Sequence, residues 1–147
     1  MSLEQQVMND MKDAMRAKEE ASLRGLRAIK AALLILKTSG STEITESDEL
    51  KMLQKLVKQR KDSLTIYQQQ NRTDLAQKEE EEIKIIEKFL PQPLSLDDLQ
   101  REVQKIIINS GASSVADMGK IIGIANKQLA GKADGKTISE VVKQFLK

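Results

Sequence analysis

Only two prolines occur in the 147 residues, Pro91 and Pro93, and a single residue separates them. Proline removes a backbone donor and breaks helices, so a chain that confines it to one place leaves both sides free to be helical. The sequence uses that freedom. Apolar residues recur at three- and four-residue spacing nearly throughout, and no stretch alternates apolar and polar as a half-buried strand does. The expected fold class is therefore all-α and multihelical. The "PQPLS" stretch divides an N-terminal helical region at 1–91 from a small three-helix C-terminal module at 95–147.

Local signals place the helices. Ser2, with Gln5 three residues on, predicts a capped first helix with Leu3, Val7, Met11 and Met15 on one stripe, broken at "AKEE". A second helix is predicted from Ser22 to Lys37 with Leu26, Ile29, Leu33 and Leu36 inward, followed by a loop at "TSGSTEI". The third starts at Thr45 or Ser47 and reaches Gln70, with Leu50, Leu53, Val57, Leu64 and Tyr67 on a seam. "NRTD" turns the chain into a fourth helix, which ends at Leu90 because the residue before proline avoids helical geometry. Ser95 caps a fifth with Leu96, Leu99, Val103 and Ile106 inward, and "NSGASS" ends it. A sixth covers Val115 to Ala130 with Met118, Ile122, Ala125 and Leu129 inward. A seventh covers Thr137 to Leu146, with Thr137 and Glu140 as a capping box and Ile138, Val141, Val142 and Phe145 inward.

Composition removes several chemistries. There is no Cys and no His, which excludes disulfides, thiolate nucleophiles, Ser-His-Asp triads and zinc sites of the usual type. No metal, no cofactor and no catalytic residues are expected. The N-terminal "MSLEQQVMND" lacks the apolar run of a secretory signal, and no run of about 18 apolar residues exists. The expectation is a soluble, cytoplasmic protein with no membrane partner. Tyr67, Phe89 and Phe145 are the whole aromatic complement, too few for a base-stacking platform.

The stretch "AGKADGKT" (130–137) fits a loose phosphate-loop pattern. Such a loop needs a buried strand before it so that backbone N–H groups converge on phosphate. Here "GKIIGIANKQL" precedes it with helical spacing, so Gly131 is read as a left-handed helix end and Asp134-Gly135 as the next turn.

Three stretches carry a family likeness: "LRAIKAAL" (26–33), "KLVKQRKDSLTIYQQQNRTDLAQKEEEEIKIIEKFLPQPLS" (55–95) and "DMGKIIGIANKQLAGKADGKTISEVVKQFL" (117–146). Together they resemble the YqeY-like proteins of the GatB/YqeY family over nearly the whole chain. The resemblance implies an all-α protein whose C-terminal part is similar to the tail domain of the B subunit of glutamine-dependent aminoacyl-tRNA amidotransferase. Similar modules appended to some glutaminyl-tRNA synthetases help to hold tRNA. The family label, a carbon–nitrogen ligase with glutamine as amido-N-donor, belongs to the full amidotransferase. The residues of this chain mark no nucleophile or phosphate-activating centre for that chemistry.

Charge distribution supplies the candidate contacts. Residues 1–90 are neutral overall, whereas 111–147 carry six Lys against Asp117, Asp134 and Glu140. Lys120, Lys127, Lys132 and Lys136 are the first candidates for phosphate contact. A second basic face is read on the second helix, at Arg24, Arg27, Lys30 and Lys37, beside Lys51, Lys55 and Lys58 on the third. Two alternatives stand for it: an RNA groove, or pairing with the acidic run "KEEEEIK". Arg60 falls where the seam of the third helix expects an apolar residue. A guanidinium there needs an acid or carbonyls beside it, either as a structural ion pair or as a contact to a partner or tRNA. Gly119 and Gly123 predict a close helix approach. The expected function is a tRNA-associated accessory protein without a catalytic centre, contacting tRNA, an aminoacyl-tRNA synthetase or an amidotransferase. The alternatives are carbon–nitrogen ligase activity and a helical protein-interaction module with no RNA role.

Overall fold

The computed structural model describes residues 2–39 and 43–146. Every regular element among them is helical: α1 Leu3–Ala17, α2 Glu20–Thr38, α3 Glu46–Gln69, α4 Thr73–Glu87, α5 Leu96–Ser110, a 3-10 turn Val115–Asp117, α6 Met118–Gln128 and α7 Gly135–Phe145. The chain forms two compact units, Met1–Leu90 and Pro91–Lys147. Part of the loop expected at 38–44 lies outside the described residues; Thr38 belongs to α2.

In the N-terminal unit α2 packs against α1, α3 and α4, and α3 against α4. Val7 and Ala14, then Leu26, Ile29 and Leu33, then Leu53 and Val57, then Ile83 and Ile86 form the core. Reciprocal capping boxes open two helices. Ser2 Oγ accepts from the Gln5 N–H and Gln5 Oε1 from the Ser2 N–H, at 3.2 and 3.1 Å. Thr45 and Asp48 repeat the arrangement at α3. Such a cap contributes about 1 kcal/mol. Met15, expected inward, is 52% exposed. Each four-residue step advances 40° around a helix, so a 3-7-11-15 stripe drifts off the core, and Ala14, seven residues from Val7, takes the inward place.

At the end of α4 the chain tightens. The N–H groups of Lys88, Phe89 and Leu90 donate to carbonyls three residues back, so the α-helix stops at Glu87 rather than Leu90 before Pro91. The C-terminal unit is closed by Leu99, Val103 and Ile106 of α5, Ile121 and Ala125 of α6, Leu129, and Ile138, Val141 and Val142 of α7. Leu96, expected inward, is 57% exposed in the first turn of α5.

Gly119 and Gly123 do not serve close packing. Both are exposed, and a Cβ at either would meet nothing within 4 Å. Each lies two residues, or about 200°, from buried Ile121 and so faces the other way. The close approach is at Gly25 instead, where a Cβ would stand 2.8 Å from Cβ and Cγ2 of Ile85 on α4.

Candidate functional site

The "AGKADGKT" stretch joins α6 to α7. It follows a helix, and Gly131 is buried with φ +79, a left-handed conformation that glycine adopts without steric cost. The N-cap of α7 is Asp134, not Thr137: the carboxylate Oδ1 accepts from the Thr137 N–H at 2.7 Å, which draws Gly135 and Lys136 into the first turn. An aspartate outranks a threonine as a cap because its charge also complements the helix dipole. The Lys132 backbone is held at both ends. Its N–H donates to the Leu129 carbonyl and its own carbonyl accepts from the Leu94 N–H, each at 2.9 Å.

The lysines on this scaffold point to solvent. Lys120 and Lys127 are exposed, seven residues apart and hence on one face of α6; Lys132 and Lys136 are exposed on the connection and on the first turn of α7. None of the four has an ion-pair partner among the described residues. Of the acids in the same segment, Asp117 Oδ2 accepts from the Ser113 N–H at 3.2 Å and Asp134 caps α7. Both carboxylates accept backbone hydrogen bonds, and neither is ion-paired with any of the four lysines.

The basic residues of the N-terminal unit behave differently. Arg24 Nη2 donates to Glu81 Oε2 at 2.7 Å, and its Nε lies 4.0 Å from Glu82. Arg60 Nε lies 3.7 Å from the other Glu82 oxygen, while Nη1 donates to the Leu56 carbonyl at 3.3 Å. Arg60 therefore has both the acid and the carbonyl that its place on the seam demands, and Glu82 bridges α2 and α3 from α4. The acidic run of α4 is the partner of Arg24. The three-residue steps from Arg24 to Arg27 to Lys30 each slip about 60° around the helix, so Arg24 turns toward α4 while Arg27 and Lys30 remain exposed.

This network is incompletely hydrogen-bonded. Nε of Arg24, Nε of Arg60 and Oε2 of Glu79 are buried without a hydrogen-bond partner; the two guanidinium nitrogens sit within ion-pair range of Glu82 but too far for a hydrogen bond. Burial pushes the Glu79 carboxyl above its ordinary value, the neighbouring Glu82 charge adds to the rise, and Arg60 opposes it. The arrangement ties three helices together and sets three carboxylates, Glu79, Glu81 and Glu82, against two guanidinium groups.

Sequence reasoning missed Gly25, although a glycine among strong helix formers in "LRGLRAIKAAL" is itself a signal of close approach. Among the described residues no group of acids is placed to hold a metal ion, and no helix is long and apolar enough to cross a membrane.

A family model described as Yqey-like protein matches residues 4–146. The chain is 34% identical over 124 residues to altered inheritance of mitochondria protein 41, mitochondrial, of Clavispora lusitaniae, covering 82% of this chain and 72% of that protein. The protein of the same name from Saccharomyces cerevisiae is 35% identical over 104 residues, 67% of this chain and 55% of its own length. That of Vanderwaltozyma polyspora is 39% identical over 88 residues, 55% and 44%. The chain thus spans about half the length of the latter two. The mitochondrial location in these names overturns the cytoplasmic location expected from the sequence. An apolar run marks a secretory signal, whereas mitochondrial targeting segments are amphipathic and basic, so the lack of such a run is no argument for the cytoplasm.

Proposed function

The chain belongs to the YqeY-like protein family, and from that membership we propose that it is a tRNA-associated accessory protein whose C-terminal unit contacts tRNA, or a tRNA-bound aminoacyl-tRNA synthetase or amidotransferase. The observation that carries the reading is the set of exposed, unpaired lysines at 120, 127, 132 and 136, on a segment where Asp117 accepts from the Ser113 N–H and Asp134 caps α7. Lysines without counter-charge release bound cations from a phosphate backbone, and that release drives association. The pinned backbone of Lys132 supports it by fixing where one of these charges emerges.

Contact would go to backbone and shape. Tyr67 and Phe89 are half-buried in the N-terminal unit, and Phe145, expected inward, is exposed on α7; one exposed ring is little aromatic surface for reading unstacked bases. Four lysines on phosphates correspond to a slope of about −3 in log affinity against log salt. The test is binding of the purified chain to total tRNA at two salt concentrations. A slope of that size supports the reading, and no binding at low salt contradicts it.

A further inference from the structure

The N-terminal unit carries a surface that the tRNA reading does not use. Helices α1 and α2 form an antiparallel hairpin with a groove of about 370 Å³ between them. Met8, Met11 and Leu34 line it, with Arg27 and Lys30 beside them. Where the start of α1 meets the end of α2, Glu4 and Lys37 pair across the two helices. Leu34 is 63% exposed and Met8 43%, far more than the core permits, and Met15 continues the same side of α1 at 52%. Exposed apolar side chains gathered in a groove mark a contact surface, where single scattered ones do not.

The occupant follows from shape and charge. A groove between two helices accepts the ridge of a third, and Arg27 to Lys37 spans about 15 Å at 1.5 Å per residue, close to three helical turns. Methionine adapts its unbranched side chain to an incoming apolar face, as helix-binding grooves require. The α2 side of the rim is basic: α2 has no acid after Glu20, neither Arg27 nor Lys30 has an ion-pair partner among the described residues, and Glu4, the acid on the α1 side, is paired with Lys37. We infer that the α1–α2 groove is a docking site for an acidic amphipathic helix of a partner protein. Its apolar face covers Met8, Met11 and Leu34, and its flanking carboxylates meet Arg27 and Lys30. Nucleic acid is a poorer match, because phosphates gain nothing from methionine and leucine. A bilayer is also poorer, because the apolar residues line a concavity rather than a convex face.

The experiment selects binders to the full chain from a displayed library of helices about 16 residues long, with surface positions randomised. The enriched peptides are then titrated against the parent and three variants. Leu34→Glu and the double variant Arg27→Glu/Lys30→Glu alter exposed positions, and retained helicity and melting temperature check their fold. Ile108→Glu, on an exposed residue of α5, is the control. The expected peptides carry apolar residues at i, i+3/i+4 and i+7 with Glu or Asp beside them. They lose at least tenfold in affinity against both groove variants and nothing against the control. Peptides without acids, or peptides that bind the groove variants as well as the parent, overturn the inference. So does sedimentation showing that the chain dimerises through Leu34, which makes a second copy the occupant. Binding of total tRNA that Leu34→Glu abolishes overturns it as well, by giving the groove to RNA.

Discussion

The two units of this chain use their charges differently. In the N-terminal unit, cations on α2 and α3 answer acids on α4: Arg24 meets Glu81 and Glu82, and Arg60 meets Glu82. In the C-terminal unit, Lys120, Lys127, Lys132 and Lys136 have no such answer, and two of the three nearby acids accept hydrogen bonds from backbone instead. Counting charges separates the units only slightly, since one is neutral and the other carries a small excess. What the pairs join separates them further: Arg24 and Arg60 bridge helices, whereas Arg101 and Lys105 pair only along α5, with Asp98 and Glu102. A charge that bridges helices is part of the fold, and a charge left to solvent is available to a partner.

Substitutions sharpen this contrast, and the largest effect falls on Arg60. Arg60→Ala leaves Glu82 and Glu79 partly buried with less compensation and should cost about 2 kcal/mol by chemical denaturation, below the full cost of breaking a buried pair because the site is not fully dry. Lys127→Ala or Lys136→Ala should stay within about 0.5 kcal/mol. Equal losses in both units would break the comparison.

The glycines give a second contrast with opposite signs. Gly25→Ala should destabilise by about 1–2 kcal/mol, because its Cβ collides with Ile85 and overpacking outweighs the gain in helix propensity. Ile85→Ala in the same chain should return part of that loss. Gly123→Ala meets nothing and should stabilise by about 0.5–1 kcal/mol. Thermal melts of the three variants read the signs directly.

pH provides the third. Glu79 titrates above its ordinary value of 4.5 in the fold. Its protonated form therefore favours folding: that contribution is full below the ordinary value and is lost as pH rises through the raised one. Glu79→Gln should make the protein more stable than the parent at neutral pH, with the advantage vanishing as pH falls below the ordinary glutamate range. Asp48 has the opposite sign. Hydrogen bonds from the Thr45 backbone and side chain hold it below its ordinary value of 3.8. Its contribution is present above that value and is lost as pH falls through the lowered one, so Asp48→Asn should narrow the stability of the parent only above the acid range. A further effect is expected at Lys18, whose φ of +57 ends α1 in the left-handed region. Lys18→Gly should gain up to about 1 kcal/mol.

Much of the fold was legible because its determinants are local. The 3.6-residue period located each helix, Ser2 and Ser95 announced their caps, the third helix was placed at Thr45 or Ser47 and caps at Thr45, and Gly131 announced its left-handed turn. What was not legible depends on which neighbour a face meets. Met15 and Ala14 are both apolar, and the line along which α2 packs on α1 chooses between them. Gly119 and Gly123 have the spacing of a close-packing motif, yet that spacing holds on any helix face, and Ile121 on the opposite side takes the core. Arg24 reads as one of a row of cations until α4 supplies its acids. The acid-pairing alternative for that row was open in the sequence, and the three-dimensional fold resolves it for Arg24. The groove beside Arg27 and Lys30 needs two helices to exist, so no single periodic stretch displays it.

The most direct test of the account is tRNA binding by two charge-reversed chains compared with the parent at one low salt concentration. Lys132→Glu/Lys136→Glu reverses the open charges of the C-terminal unit, and Arg27→Glu/Lys30→Glu reverses those of the N-terminal groove. The account predicts that the first loses at least tenfold in affinity while the second binds as the parent does. Loss of binding in the second with retention in the first would contradict it.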